Sequence, residues 1–282
     1  MKWKKFFNPV GNMDSEEARA YMAERPEGTY TLLDVRQMRE YEESRILGAT
    51  LIPLPQLSDR LQELDPEKPV LVYCAIGGRS RAAAQLLAGK RFREVYNLRG
   101  GIKAWNGLTA EGPVDFGSEI SSVKEMSPVE VVDFAMGMEK GLAAFYVLAA
   151  RKCEDKEAAD LLKKLAGFEE KHQQKLLELH QTLKGAADNR QSFEGESPSV
   201  MEGGFDTTDF MEKNQPLMET TADVFSLAMM LESQGFDLYV RLAGHVDDEE
   251  SRAVLHGIAE DEKAHLNSLG EMIEAGYLPP GR

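Results

Sequence analysis

Cysteine is nearly absent from this sequence: Cys74 and Cys153 are the only two in 282 residues. Two cysteines so far apart make no disulfide framework, and a four-cysteine zinc or rubredoxin-type iron site is excluded by count. Each is therefore either a core filler or a reactive thiol. Long hydrophobic runs are also missing, and none approaches the ~18 residues of a membrane span. The opening MKWKKFFNPVGNMD has basic residues but only Phe6 and Phe7 before Asn8-Pro9. That is no signal-peptide core, so a cytoplasmic location is expected. Positive charge is in deficit: the formal net charge is −15. Such a balance argues against nucleic acid or an anionic membrane surface as a partner. With 42% hydrophobic and 29% charged residues the chain reads as folded and globular, and its length suggests two domains.

The deficit is one-sided. Residues 1–113 carry 17 Lys and Arg against 15 Asp and Glu, whereas 114–282 carry 16 against 33, and all five histidines fall in the second part. Composition therefore splits the chain near 113, and with the motifs on either side this predicts a first domain over 1–113, a linker over 114–126 and a second domain over 127–282.

The first part reads as α/β. Thr31–Val35, Val70–Tyr73 and Glu94–Leu98 are β-type runs, separated by helical stretches from Ser15, a candidate N-cap, to Arg25 and from Ser80 to Lys90. Strands alternating with helices predict a parallel sheet flanked by helices. The informative segment follows the second strand: Cys74-Ala75-Ile76-Gly77-Gly78-Arg79-Ser80, then a helix. A cysteine on a glycine turn at a helix N-terminus faces inward-pointing N–H groups and the helix dipole. Both favour an anion and depress the thiol pKa. Arg79 adds a forked cationic donor. These features predict a thiolate nucleophile with a cradle for an anionic substrate or adduct. A buried structural cysteine on a glycine turn is the alternative.

At these residues the first part resembles a single rhodanese domain. The likeness extends through Leu33-Asp34-Val35-Arg36 with Glu40-Tyr41, Ile46–Leu54, and Tyr96–Trp105. It implies that Cys74 accepts sulfane sulfur from a small, thiosulfate-like donor, forms a persulfide, and passes the sulfur to a thiol or cyanide-like acceptor. A related phosphatase group has one more residue between Cys and Arg, so the loop length favours sulfur over phosphate or arsenate chemistry. Arg45 stands where the family commonly has His. Asp34 and Arg36 are expected to form a structural ion pair.

The second part is helical and repeats itself. Helices are expected from a Ser127-Pro128-Val129-Glu130 capping box to Lys152, from Asp155 to Leu183, from Glu219 to Ala243, and from Asp247 to Ala275. A Gly/Ser/Asn/Asp-rich stretch over 185–215 separates the two pairs. Four long helices with one long crossover predict a bundle. Shifting this part by 93 residues maps Glu139 onto Glu232, Tyr146 onto Tyr239, Glu169 onto Glu262 and His172 onto His265. Glu169 and His172 share a helix face, as do Glu262 and His265. Glu139 and Glu232 each follow an apolar run, where a carboxylate is costly unless paired or metal-bound. Four carboxylates and two imidazoles meeting in a bundle core would neutralise two metal cations. Buried salt bridges with surface Glu and His are the alternative.

This pattern resembles the rubrerythrin branch of the ferritin-like di-metal proteins, over about 127–275. The resemblance implies that Glu139, Glu169, His172, Glu232, Glu262 and His265 ligate two irons, with zinc or manganese as other candidates. It implies that Glu169 and Glu262 bridge and that Tyr146 and Tyr239 hydrogen-bond to the ligands. Gly235 stands where rubrerythrins often have a further Glu, which weakens the case for redox-linked ligand switching. With no rubredoxin domain, an external electron donor is expected. His180, His245 and His256 are expected on the surface, and Cys153 is expected to be inert.

The sequence thus predicts an α/β sulfurtransferase domain followed by an all-α ferritin-like four-helix bundle that handles peroxide or O2. A sulfur carrier fused to a non-catalytic metal store or sensor is the alternative. A homodimer is expected by fold analogy.

Overall fold

The computed structural model describes residues 10–112, 125–184, 200–201, 205–206, 210 and 220–272. The chain divides into two compact units, Met1–Asp115 and Phe116–Arg282. The expected linker lies almost entirely outside the described residues. So do the first residues of the chain and most of the stretch 185–215.

In chain order the first unit contains β1 (Gly11–Met13), α1 (Ser15–Ala23), β2 (Thr31–Asp34), α2 (Met38–Glu43), β3 (Arg45–Ile46) and β4 (Thr50–Leu51). It continues with β5 (Val70–Tyr73), α3 (Gly78–Gly89), β6 (Val95–Leu98) and β7 (Thr109–Ala110). Five strands form one parallel sheet in the order β1-β6-β5-β2-β4. The Val-Leu-Val-Tyr run of β5 is buried along its whole length, as a central strand covered on both faces requires. Its side chains alternate. Val70 and Val72 pack with Leu33, Ala83, Ala84 and Leu87 on one face. Leu71 and Tyr73 pack with Leu32, Ala18 and Leu98 on the other. β3 and β7 form a separate antiparallel pair.

Sequence reasoning found β2, β5 and β6 but not the edge strands β1 and β4. These are only two or three residues long and carry no apolar run. The N-cap of α1 is Asp14, not Ser15: the Asp14 carboxylate accepts the Glu17 N–H at 3.0 Å, and the Glu17 carboxylate accepts the Asp14 N–H at 2.9 Å. The Ser15 hydroxyl instead donates to Asn106 Oδ1 at 2.6 Å. Asp34 and Arg36 form the expected buried ion pair, with Nη2 2.6 Å from Oδ2. It ties the end of β2 to the chain beyond, since Arg36 also donates to the Ser44 carbonyl.

The second unit holds four long helices among its described residues: α4 (Pro128–Lys152), α5 (Lys156–Lys184), α6 (Thr221–Ala243) and α7 (Glu249–Met272). Each begins where a side chain accepts an otherwise unbonded N–H. Ser127 and Glu130 make the expected capping box of α4. Asp155 accepts the Ala158 N–H at 2.7 Å, and Thr220 accepts that of Asp223 at 3.2 Å. For α7 the capping residue is Asp248; it accepts the Ser251 N–H at 2.7 Å. The apolar stripes meet in a core that includes Leu142, Phe145, Leu162, Leu165, Phe225 and Leu231. Phe210 packs edge-on against Phe145, with ring centroids 5.4 Å apart. α5 and α7 run antiparallel, since Lys164 reaches Met272 and Lys175 reaches Asp261. None of these helices is long and apolar enough to cross a membrane.

Candidate functional site

Two clusters carry chemistry, one in each unit. The first is the loop between β5 and α3. Cys74 follows the last residue of the buried central strand and is itself 1% exposed. Gly77 adopts a left-handed conformation, φ 101°, and turns the chain directly into α3. The helix therefore starts at Gly78, two residues before the expected Ser80, and Arg79 and Ser80 lie in its first turn.

The loop carbonyls are drawn away from the thiol. The Ile102 N–H donates to the Cys74 carbonyl at 2.8 Å, and the Lys103 N–H donates to that of Ala75 at 3.1 Å. The loop N–H groups are left to face the sulfur. Gly77 N–H lies 3.1 Å from Cys74 Sγ, and Ser80 Oγ lies 3.5 Å from it. Ser80 Oγ is in turn 2.7 Å from Asn97 Oδ1. Burial pushes the Cys74 thiol up. Hydrogen bonds from the Ser80 side chain and from the N–H groups of Ser80, Ile76 and Gly77 outweigh it, and the pKa lies below its ordinary value. Ala75 and Gly78 complete the loop, and Ile76 projects at its tip, 68% exposed.

Arg79 is engaged differently from the expectation. Its fork is taken bidentately by Glu40 of α2, with Nη1–Oε2 at 2.7 Å and Nη2–Oε1 at 2.6 Å. The Arg79 hydrogen bonds hold the Glu40 carboxyl down at about 2. The groups that face an anion at Cys74 are thus amides and a hydroxyl, with Arg79 fixing the loop against α2.

The second cluster lies inside the bundle. Glu139 on α4, Glu169 and His172 on α5, Glu232 on α6, and Glu262 and His265 on α7 are brought together. His172 Nδ1 lies 3.4 Å from Glu139 Oε1, 3.9 Å from Glu169 Oε2 and 4.0 Å from Glu262 Oε1. His265 Nδ1 lies 2.9 Å from Glu232 Oε2 and 3.7 Å from Glu262 Oε2. Potential ligand atoms converge within 4.8 Å in three overlapping groups: Glu139, His172 and Glu262; Glu232, Glu262 and His265; and Glu169, His172 and His265. Glu262 lies beside ligands from both halves of the repeat, and Glu169 joins both histidines. Tyr146 donates to Glu232 Oε1 at 3.3 Å, linking α4 to α6, and Tyr239 is fully buried at the repeat-equivalent position.

The four glutamates are almost wholly shielded from water. Burial and the neighbouring His265 lower the His172 pKa to about 4, so its imidazole is neutral near pH 7. Burial pushes the Glu232 carboxyl up, but the hydrogen bond and charge of His265, with Glu262 and His172, together outweigh it and the net shift is downward. Four carboxylates with two imidazoles, all within reach of one another, are a donor set of the right charge and hardness for two divalent cations. The residues therefore fit a di-metal group.

Of the histidines outside the repeat, His245 is exposed and His256 half-buried. His180 is buried, contrary to expectation, with Nε2 3.2 Å from Asp133 Oδ1. His172, Leu176 and His180 continue one buried i, i+4 stripe along α5, and that stripe was the missed signal. Cys153 is half-buried just beyond α4, with Sγ 3.5 Å from the Asp155 carbonyl.

Comparison with known proteins agrees with this division. A rhodanese-like domain matches residues 16–108, and a ferritin-like domain matches residues 127–275. YqhL of Bacillus subtilis is 49% identical over 76 residues, which are 27% of this chain and 60% of that protein. Thiosulfate sulfurtransferase GlpE of Coxiella burnetii is 42% identical over 74 residues, 26% of this chain and 69% of that one. A rhodanese-like domain protein from Staphylococcus aureus, solved by crystallography, is 25% identical with a TM-score of 0.32, over 34% of this chain and 92% of its own. The ferritin-like match covers more than half of the chain, which belongs to the ferritin-like domain family and carries a rhodanese-like domain ahead of that bundle.

Proposed function

We propose that the chain is a sulfurtransferase working through a Cys74 persulfide, joined to a bundle that holds two irons and reacts with peroxide or O2. The environment of Cys74 supports the first half. A sulfur that receives N–H and hydroxyl hydrogen bonds at a helix N-terminus is stabilised as thiolate. The thiolate attacks the sulfane sulfur of a thiosulfate-like donor. The donor S–S bond breaks, its electron pair leaves on sulfite, and Cys74 carries the outer sulfur as a persulfide. A thiol or cyanide-like acceptor then attacks that outer sulfur, and the Cys74 thiolate is restored. The loop amides hold the negative charge before and after each transfer.

The six buried side chains support the second half. Glu139 and His172 would hold one metal, Glu232 and His265 the other, with Glu169 and Glu262 shared between them. Tyr146 fixes the orientation of Glu232 through its hydrogen bond. Iron, when bound, supplies the redox capacity for peroxide or O2. With only two cysteines in the chain, the electrons come from an external donor.

The decisive experiment purifies the protein without oxygen, measures its metal content and spectrum, and assays both activities. Two irons per chain, thiosulfate:cyanide transfer and peroxide consumption are expected. Cys74→Ser is expected to remove only the transfer, and Glu139→Ala only the peroxide consumption. Zinc occupancy without oxidase activity overturns the redox half. Loss of both activities in each variant overturns the independence of the two sites.

A further inference from the structure

Asn97 is a buried polar residue in the middle of the sheet. It stands in β6, opposite Val72 of β5 on one side and Asn12 of β1 on the other, and is 1% exposed. A side-chain amide is costly in such a place unless it is bonded. Here both of its polar atoms are engaged. Nδ2 donates to Asn12 Oδ1 at 3.1 Å, and Oδ1 accepts from the Ser80 hydroxyl at 2.7 Å. The bond to Asn12 decides which way the amide faces. With Nδ2 held by an acceptor on β1, the oxygen is turned toward Ser80.

The Ser80 hydroxyl is fully buried and has a single proton to give. Two acceptors lie within its reach, Asn97 Oδ1 at 2.7 Å and Cys74 Sγ at 3.5 Å. The shorter distance is that of an ordinary O–H···O bond. One proton cannot serve both acceptors at full strength. When Cys74 is a neutral thiol, its S–H can point at Ser80 Oγ while the hydroxyl donates to Asn97. When Cys74 is a thiolate, the sulfur draws the hydroxyl proton and Asn97 Oδ1 loses its donor. The charged groups around the loop are engaged elsewhere: Arg79 with Glu40 of α2, and Arg36 with Asp34 at the end of β2. Lys103, on the segment that binds the loop carbonyls, is exposed.

We propose that Asn97 is a positioning residue for sulfur transfer: it competes with the Cys74 sulfur for the single proton of the Ser80 hydroxyl, so that this proton follows the charge on Cys74. The thiolate draws the hydrogen bond away from Asn97 and leaves a buried carbonyl oxygen without a donor, which opposes the charged state. Transfer breaks the donor S–S bond, and sulfite leaves with the electron pair. The negative charge then lies on the outer sulfur of the persulfide. Sγ is now uncharged, and the hydroxyl returns to Asn97. Asn97 therefore disfavours the thiolate and favours the persulfide. The second effect rests on the sulfur-transfer reading above; the competition for the proton does not.

The test uses the full chain with Cys153→Ser as background and reads the pH midpoint of Cys74 alkylation. Asn97→Leu keeps the shape and removes the acceptor. It is expected to lower the midpoint, because the hydroxyl is left to the sulfur alone. A residue that only held the sheet to α3 would on removal loosen the loop, and the midpoint would rise or stay. In a Ser80→Ala chain, adding Asn97→Leu is expected to give no downward shift, since no hydroxyl remains to be freed. Asn12→Ala, at an exposed position on the edge strand, releases the amide to turn Nδ2 toward Ser80 and is expected to lower the midpoint too. It decides the matter if Asn97→Leu does not fold. A midpoint unchanged or raised in the folded variants, or a downward shift that persists without the hydroxyl, overturns the proposal. With thiosulfate and sulfite at a fixed ratio, Asn97→Leu is expected to hold less persulfide than the parent, read as intact mass. Equal persulfide in the two overturns the return of the hydroxyl. No persulfide in the parent overturns the sulfur-transfer reading and that return with it, while the alkylation midpoints still decide the competition for the proton.

Discussion

The imidazoles of His172 and His265 lie face to face, with centroids 3.9 Å apart and planes 11° from parallel. The two residues stand 93 positions apart on different helices, yet each turns its Nδ1 toward the glutamate of its own half, Glu139 or Glu232. Two like half-sites are thereby set side by side, with Glu262 within reach of both histidines. Two such half-sites are what the proposed pair of metal ions would occupy.

Metal removal is therefore expected to destabilise the bundle and leave the rhodanese-like unit untouched. Ligand that binds only the folded state stabilises it by about 2.7 kcal/mol at a hundredfold excess over its dissociation constant. Helix melting followed by far-UV dichroism should shift upward on loading. Trp3 and Trp105 both precede residue 113, and their fluorescence transition should stay in place. Glu262→Gln is expected to hold no more than one metal per chain. Two metals retained by that variant, measured by elemental analysis, exclude a shared Glu262.

Ser80→Ala is expected to raise the pKa of Cys74. The hydroxyl lies 3.5 Å from the sulfur and is the leading contribution opposing its burial. Without it, burial is opposed by the backbone N–H groups alone, so an upward shift is expected. The pH dependence of Cys74 alkylation measures it directly, with Cys153→Ser as background to isolate the signal. An unchanged midpoint means that the backbone amides hold the thiolate unaided.

The Glu40–Arg79 pair makes a prediction about acid stability. The folded-state pKa of Glu40 is lowered from the ordinary 4.5 to about 2. A lowered value contributes stability that is fully present above about 4.5, declines as the pH falls, and is gone below about 2. Both side chains are about one-third exposed, so solvent screening keeps the contribution at about 1 kcal/mol or less. The stability difference between the parent and Glu40→Gln should accordingly shrink between those two pH values. Urea unfolding followed by tryptophan fluorescence reads it; a difference that stays constant across this range argues against the pair.

Much of the site was legible because its residues lie in local patterns. The cysteine loop is contiguous from Cys74 to Ser80, and Glu-x-x-His twice in register places four ligands on two helix faces. What was not legible depends on distant partners. Nothing near Arg79 in the chain announces that Glu40 will take its fork. Nothing near Phe168 announces that its ring will meet His265. Asp14 and Ser15 are both good capping residues, and the choice between them follows from Asn106, which binds the Ser15 hydroxyl from 91 residues away. His180 is the exception, since its stripe along α5 was there to be followed.

Gly101 gives the sharpest test of how the cysteine loop is held. It sits at φ +58°, and a Cβ there would lie 2.1 Å from the Cys74 carbonyl oxygen and 2.7 Å from the Ala75 carbonyl carbon. Those are backbone atoms bound by the Ile102 and Lys103 N–H groups, so they cannot retreat without breaking the contacts that aim the loop amides at the sulfur. Gly101→Ala is expected to cost about 2 kcal/mol or more, from left-handed strain together with the clash. It should also slow Cys74 alkylation at neutral pH. Gly89→Ala serves as the control, because its Cβ meets nothing within 4 Å in α3. That substitution should be neutral or stabilising by up to about 1 kcal/mol. Equal behaviour of the two variants, in unfolding midpoint and in alkylation rate, would remove Gly101 from the account of how this thiolate is held.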